Sequence, residues 1–430
     1  MAEVTERNGV QGVSRREFVK ALGAAGLGAG LGSLGGPYVL RRVWAAEKGP
    51  IKIAGLASLS GVVAAWGKVT QQGLELAVEE INQAGGILGR KVESRMEDDE
   101  SKPAEGARKA RRLALEWGAN VMIGINHSGV AVQVCALLPE LKTILMIPCA
   151  SAPSVTNEKF TKYTFRTKPN SYQLAAAGAY RMKDQPWKRW TVIGPDYSYG
   201  HESWEAFIFH LKKVKPAVEI LDVQAWPKFA AGDYASHIVK ILDAKPDAVY
   251  CSLWGGDMIN FIKQANQYQF FEKTALATEA GLSTEIFYAL GKSIPAGLWS
   301  ASHGYWFEHP GTPTNRAFVD RFVKKFGEYP HVSAHDTYAA IHAYKKGVEK
   351  AGTTDADALV AALEGLEFET PAYRSVIRKE DHQAIRDVPW GVTRATDKFP
   401  FGVHLTEIQD TPGNLVVQPV EEVMKLRMKG

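Results

Sequence analysis

The segment that most restricts the fold runs from residue 51 to residue 100. An apolar stretch, Ile51-Lys52-Ile53-Ala54-Gly55-Leu56, leads into the turn Leu59-Ser60-Gly61. A long amphipathic stretch follows, with Leu74, Ala77, Val78 and Ile81 at helical spacing. It stops at Gly85-Gly86, the residue type that best tolerates the left-handed conformation closing a helix. A second strand starts near Lys91. Strand, helix and strand in so short a span make a βαβ unit, which commits the chain to a parallel sheet covered by helices.

The same rhythm continues to about residue 300. Strands are expected at Ile51–Leu56, Lys91–Met96, Val121–Ile125, Ile144–Ile147, Arg189–Ile193, Glu219–Ala225, Ala248–Ser252 and Thr274–Thr278, with helices such as Pro103–Trp117 and Ser203–Val214 between them. The rhythm breaks near Arg166–Tyr172, which predicts an α/β protein with two doubly wound parallel-sheet domains rather than one sheet. The last 30 or so residues show no strong periodicity and receive no assignment.

The N-terminus reads as an address. Ser14-Arg15-Arg16-Glu17-Phe18-Val19-Lys20 precedes a Gly-rich, mildly apolar stretch from Ala21 to Leu40 and a small-residue site at Val43-Trp44-Ala45. Residues 1–45 are therefore expected to be a twin-arginine export signal. Gly30-Leu31-Gly32-Ser33-Leu34-Gly35 fits a dinucleotide fingerprint, but it lacks the preceding strand that such a site needs. Without 1–45, the chain loses six basic residues (Arg7, Arg15, Arg16, Lys20, Arg41, Arg42) and three acids (Glu3, Glu6, Glu17), so its net charge of +4 falls to about +1. Such a balance makes no electrostatic case for nucleic acid. Cys135, Cys149 and Cys251 sit in apolar surroundings without metal-ligand spacing and are expected to be core thiols, Cys149 at the pocket edge.

In open parallel sheets, ligands bind beyond the carboxyl ends of the strands. Here those positions are Ser58–Trp66, Asn126-His127-Ser128, Cys149-Ala150-Ser151, Asp196–Tyr199, Leu253-Trp254 and Glu279. A helix starting after Asn126-His127-Ser128-Gly129 would aim its free N–H groups into the same crevice and suit a carboxylate. Glu279 could face a cation. An anion site, a cation site and aromatic walls together describe an α-amino acid with an apolar side chain. Plainer roles are also open: Ser128 and Ser151 as helix caps, Glu279 as a solvated acid, Tyr199 and Trp254 as packing.

Leu59-Ser60-Gly61, Trp66-Gly67, Ala77-Val78-Glu79-Glu80-Ile81-Asn82, Gly85-Gly86-Ile87-Leu88-Gly89-Arg90 and Glu97-Asp98-Asp99 together resemble the periplasmic solute-binding proteins of the branched-chain (leucine-isoleucine-valine) amino-acid type. The resemblance runs to about residue 400. It implies the type I periplasmic-binding fold, with a three-segment hinge at Phe165–Asn170, Ser302–Gly304 and Pro371–Tyr373. Domain one would be 46–168 with 304–371, and domain two 169–303 with 372–430. It further implies that Ser128 and Ser151 hold a ligand carboxylate, Glu279 holds the ammonium, Tyr199 of Tyr199-Gly200 closes over the ligand, and Trp66 sits in the adjoining loop. Three departures stand out: His127 at a small-residue position, Trp254 where a tyrosine is common, and the extra bulk of Tyr305 and Trp306. They open the door to larger or aromatic acids.

The implied function is an exported receptor of an ABC importer, soluble in the periplasm after signal cleavage. It would be a monomer without cofactor that binds a small amphipathic ligand, a branched-chain or aromatic amino acid, in the interdomain cleft and hands it to membrane permease subunits. The alternatives are a receptor for an aromatic or other organic acid or amide, and a sensory module for a membrane kinase. No GxSxG elbow, Walker loop or nucleophile–base pair points to an enzyme. His331 and His335 lack the partners of a metal site.

Overall fold

The computed structural model describes residues 49–429, so the expected export signal at 1–45 and the Gly30–Gly35 pattern lie outside the described residues. The first sheet is parallel throughout, in the order β2-β1-β3-β4-β5: β1 (Ile51–Ala57), β2 (Val92–Asp98), β3 (Val121–Gly124), β4 (Ile144–Ile147) and β5 (Thr164–Arg166). β3 and β4 are buried along their whole length, as strands covered on both faces must be. The helix Ala64–Gln83 buries Leu74, Ala77 and Ile81. It ends where the spacing places it: Gly86 N donates to Ile81 O at 2.8 Å with Gly86 at φ +82°. A Cβ on Gly86 would fall 1.9 Å from Arg90 O, so the reversal into β2 requires glycine.

The second sheet is β6 (Arg189–Ile193), β7 (Glu219–Ile220), β8 (Ala248–Cys251), β9 (Ala275–Thr278) and β10 (Trp299–Ser300), joined at one edge by a later hairpin. A three-stranded antiparallel sheet, β11 (Glu367–Glu369), β12 (Arg374–Ile377) and β13 (Ala384–Ile385), precedes that hairpin, β14 (Val388–Ala395) and β15 (Val403–Thr411). β6 to β10 run parallel, and β14 adds antiparallel to β10. The two sheets mark two lobes.

Several expected elements shift. Arg166 belongs to a strand, β5, although its segment reads as a bare crossover. Glu219–Ala225 forms a ladder only at Glu219–Ile220, with Ala225 as an isolated bridge to Ile193. The helix expected at Ser203 starts at Ser198. Pro371–Tyr373 joins β11 to β12, and the chain enters the second sheet after β13. The final stretch forms the short helices Gly413–Val416 and Val420–Arg427. Arg427 donates to Thr156 O at 2.9 Å, which ties the chain end back to the loop after β4.

The passages between the lobes are stitched side by side. Gln383 Nε2 donates to Lys168 O at 2.6 Å and its Oε1 accepts from Arg166 at 3.0 Å. Arg386 donates to Gly304 O at 3.3 Å and pairs with Asp336 at 2.7 and 3.1 Å, with both side chains fully buried. Burial raises the Asp336 pKa, but the Arg386 charge and the hydrogen bonds outweigh it, leaving the carboxyl below its ordinary value. Removing one member of such a pair strands a buried charge. Asp336→Ala should therefore cost about 3–5 kcal/mol in urea unfolding; an unchanged midpoint would show that the hinge does not rely on the pair.

Candidate functional site

The strand ends of the two lobes enclose a narrow cavity of about 10 Å³, the room of a single water, lined by Trp66, Asn126, Ser128, Cys149, Ser151, Tyr197, Tyr199, Trp254, Ala280 and His303. The floor is built by backbone turns at the end of β3. Ile125, a β-branched residue, is held at φ +67°, where its N–H donates to Leu56 O at 2.6 Å and its carbonyl accepts from Ala150 N at 3.0 Å. Strain of this kind persists only where its surroundings enforce it. It presents Asn126, whose amide donates to Thr70 Oγ1 at 3.1 Å and to Cys149 Sγ at 3.3 Å and accepts from Ser58 N at 3.1 Å.

Hydroxyls form the polar end. Ser128 Oγ accepts from Ala152 N at 3.2 Å, which leaves its own hydrogen to donate. Ser151 Oγ lies 2.5 Å from Lys168 Nζ and 2.7 Å from His303 Nε2. His303 is held at φ +57°, its N–H donating to Glu279 O at 2.7 Å. Burial, and then the Lys168 charge, keep its pKa well below the usual imidazole value.

The walls are aromatic. Trp66 and Trp254 meet edge to face at 5.0 Å across the cleft. Trp254 Nε1 donates to Tyr197 Oη at 3.1 Å. The buried Tyr199 hydroxyl makes no close hydrogen bond among the described residues; burial, and then the Glu279 charge, raise its pKa well above that of a free phenol.

Seven of the twelve residues expected at the site line this cavity, namely Trp66, Asn126, Ser128, Cys149, Ser151, Tyr199 and Trp254. Five do not. His127 caps its helix, Nδ1 accepting from Gly129 N at 3.2 Å, and stacks on Tyr197 at 4.4 Å. That cap consumes an N–H expected to face an anion. Burial lowers the His127 pKa to about 4, so the ring is neutral. Ala150 turns its carbonyl to Arg166 Nε at 3.0 Å. Tyr305 stacks on His335 at 3.9 Å and donates to Asn315 at 3.0 Å. Trp306 packs on Phe287 at 4.7 Å. Glu279 is fully buried behind the wall, accepting from Ser171 Oγ at 2.9 Å and Tyr250 Oη at 3.2 Å.

Tyr197, Ala280 and His303 line the cavity without having been singled out. Tyr197 falls inside the strand-end stretch Asp196–Tyr199, and Ala280 follows Glu279. The left-handed backbone that aims His303 has no sequence signal beyond its place in a crossover. Cys135, Cys149 and Cys251 are free and buried. Among the described residues no cluster of His, Cys, Asp or Glu is arranged to hold a metal ion, and no helix is long and apolar enough to cross a membrane.

A family model described as periplasmic binding protein matches residues 50–398. The chain belongs to the periplasmic binding protein family. Members of this family are solute-binding receptors of ABC transporters rather than enzymes. Among its relatives is the Leu/Ile/Val-binding protein BraC3 of Rhizobium johnstonii, 29% identical over 327 residues, covering 74% of this chain and 85% of that one. The leucine-, isoleucine-, valine-, threonine- and alanine-binding protein of Pseudomonas aeruginosa is 27% identical over 331 residues, covering 75% and 84%. Of solved structures, a solute-binding protein from Rhodopseudomonas palustris BisB5, in complex with 3,4-dihydroxybenzoic acid, superposes with a TM-score of 0.78 at 21% identity over 86% of this chain and 99% of that one. An ABC-type branched-chain amino acid transporter protein from R. palustris CGA009 has a TM-score of 0.69 at 25% identity, with coverage of 86% and 99%.

In this periplasmic binding protein the lobes also touch beside the cavity. Trp66 Nε1 donates to Glu285 Oε1 at 2.7 Å, and His331 Nε2 lies 2.8 Å from Glu285 Oε2. His331 Nδ1 accepts from Ser333 N at 2.9 Å, so the ring carries its proton on Nε2, toward Glu285. Glu285→Ala leaves the Trp66 indole donor unpaired in the closed form, at about 1–3 kcal/mol. Small-angle scattering of the ligand-free variant should show a larger radius of gyration than the unaltered protein; identical curves would show that the contact does not hold the lobes together.

Proposed function

We propose that this protein is the ligand-capturing receptor of an ABC importer for a small carboxylic acid with a flat apolar body, such as an aromatic acid. The observation that carries this reading is the division of the cavity. Ser128 and Ser151 supply hydroxyls at one end, Trp66, Trp254, Tyr197 and Tyr199 form the walls, and Glu279 stays behind them, bonded to Ser171 and Tyr250. A carboxylate finds donors, a ring finds faces and edges, and an ammonium finds no carboxylate on the cavity wall.

The second reading, a branched-chain or aromatic amino acid, is favoured by the charge of Glu279 one residue from Ala280 and by the ligands named for the relatives. In either case the receptor works by hinge closure, with Tyr199 and Trp254 swinging over a ligand seated on the Ser128 and Ser151 lobe. Closure follows only if the ligand contacts the closed form better than the open one. Micromolar affinity, about −8 kcal/mol, suits capture followed by release. Export by the twin-arginine signal, a soluble periplasmic monomer and delivery to a permease complete the proposal.

Calorimetry with benzoate, 4-hydroxybenzoate, L-leucine and L-phenylalanine tests the ligand class. Ser128→Ala should weaken the best acid by about 1.5–3 kcal/mol, the worth of a hydrogen bond to a charged group. Glu279→Gln should leave benzoate affinity within about a factor of three. Tight L-leucine binding that collapses in Glu279→Gln would instead establish the amino-acid reading.

A further inference from the structure

Lys168 is fully buried, yet among the described residues its Nζ has no carboxylate at hydrogen-bond distance. Its neighbours are Ser151 Oγ at 2.5 Å, His303 Nε2 at 3.0 Å and Cys149 O at 3.4 Å. All three residues line the cavity, so the ammonium sits one side chain behind its polar end. Buried charges are normally paired. The neighbouring charges are all otherwise engaged. Asp336 is held by Arg386, and Glu279 by Ser171 and Tyr250. Arg166, a second fully buried cation, spends its donors on Ala150 O, Ala152 O, Thr156 and Gln383 and adds to the positive potential.

We infer that Lys168 is the resident counter-ion of the site: a positioning residue that, through Ser151 and His303, selects a net-anionic ligand and gains its proton as that ligand binds. This rests on the carboxylic-acid reading and deepens it by assigning the ligand's charge. Three donors of an ammonium match the three acceptors at hand, and the Ser151 hydrogen, which reaches Cys149 O at 3.2 Å, exchanges that carbonyl for a ligand oxygen.

The direction of the linkage follows from burial. Desolvation holds the Lys168 pKa down at about 7, against an ordinary 10.5, with Cys149, Asp336 and Glu279 opposing it and Arg166 reinforcing it. An anion beside Ser151 favours the charged form and raises that pKa. Binding therefore takes up a proton above pH 7, where free Lys168 is mostly neutral, and little below it. The Cys149 thiol, raised to about 11 by burial, and the Tyr197 and Tyr199 phenols, raised by burial, lose their protons above this window. His303 gains one only below it.

Calorimetry in two buffers of different ionisation enthalpy, with benzoate, benzamide and L-leucine as probes, counts the protons. Benzoate should take up close to one proton at about pH 8.5 and few at about pH 6, its affinity falling by up to about tenfold per unit above pH 7. Neutral benzamide should take up none. Lys168→Met should abolish the uptake, weaken benzoate at least about tenfold at pH 7 and leave benzamide within about threefold. The count on the unaltered protein needs no variant, so a poorly folded Lys168→Met does not blunt the test. Benzoate binding without proton uptake overturns the role of Lys168 and leaves the aromatic-acid reading intact. Uptake with L-leucine but no binding of benzoate overturns both the aromatic-acid reading and the selection of a net anion. Failure of both carboxylates to bind overturns both.

Discussion

The structure hangs on a buried ion pair. Arg386 and Asp336 are both withdrawn from water, and Arg386 also reaches Gly304 O. Beside them Gln383 bridges Arg166 and the backbone of Lys168. Breaking a pair in so low a dielectric strands a buried charge, so the passages between the lobes keep a fixed spacing. Two of those passages then deliver the polar end of the cavity: Lys168 from the first, His303 from the second. The hinge is also the wall of the binding site, and the mechanics of the fold and its ligand chemistry share the same residues.

Each lobe supplies a different kind of surface. The β3 and β4 ends present hydroxyls and an amide, while the second lobe brings Tyr197, Tyr199 and Trp254. The aromatic faces exclude water from the hydroxyls when the lobes meet, which strengthens every charge-assisted hydrogen bond made there. Glu279 illustrates how a charge can lie close to a cavity without lining it. Burial raises its pKa while Ser171 and its other hydroxyl partners pull it back, and those partners lie in the second lobe with it.

Much of this was legible in the sequence. β4 and β6 fall on the residues where the apolar runs place them, because a strand buried on both faces reads as an unbroken run. Elements that depend on tertiary contacts were not legible. β5 is three residues long and ends in Arg166, whose guanidinium is solvated by carbonyls instead of water. β14 carries Pro389 and Gly391 and shifts register between Trp390 and Val392, so its alternation is broken. At the site, the strand-end rule found the serines, Asn126 and two tryptophans. The comparison with the resembled family added Tyr305 and Trp306, whose bulk goes into a cluster with His335, Phe287 and Phe307, and the strand-end rule reached neither of two further residues. It passed over Lys168 and His303, because nothing in a linear string shows that a lysine is buried or that a histidine is twisted into the left-handed region.

The meeting of Trp66 and Trp254 has an optical meaning. The two indoles come from opposite lobes and lie 5.0 Å apart at an interplanar angle of 81°. Transition dipoles that close couple strongly, and the chiral arrangement converts the coupling into a paired signal in circular dichroism. Opening the cleft pulls the rings apart and the signal vanishes, whereas tryptophans packed within one lobe, such as Trp187 and Trp190, keep theirs. The molecule thus carries its own spectroscopic ruler for the distance between its lobes, with no label attached.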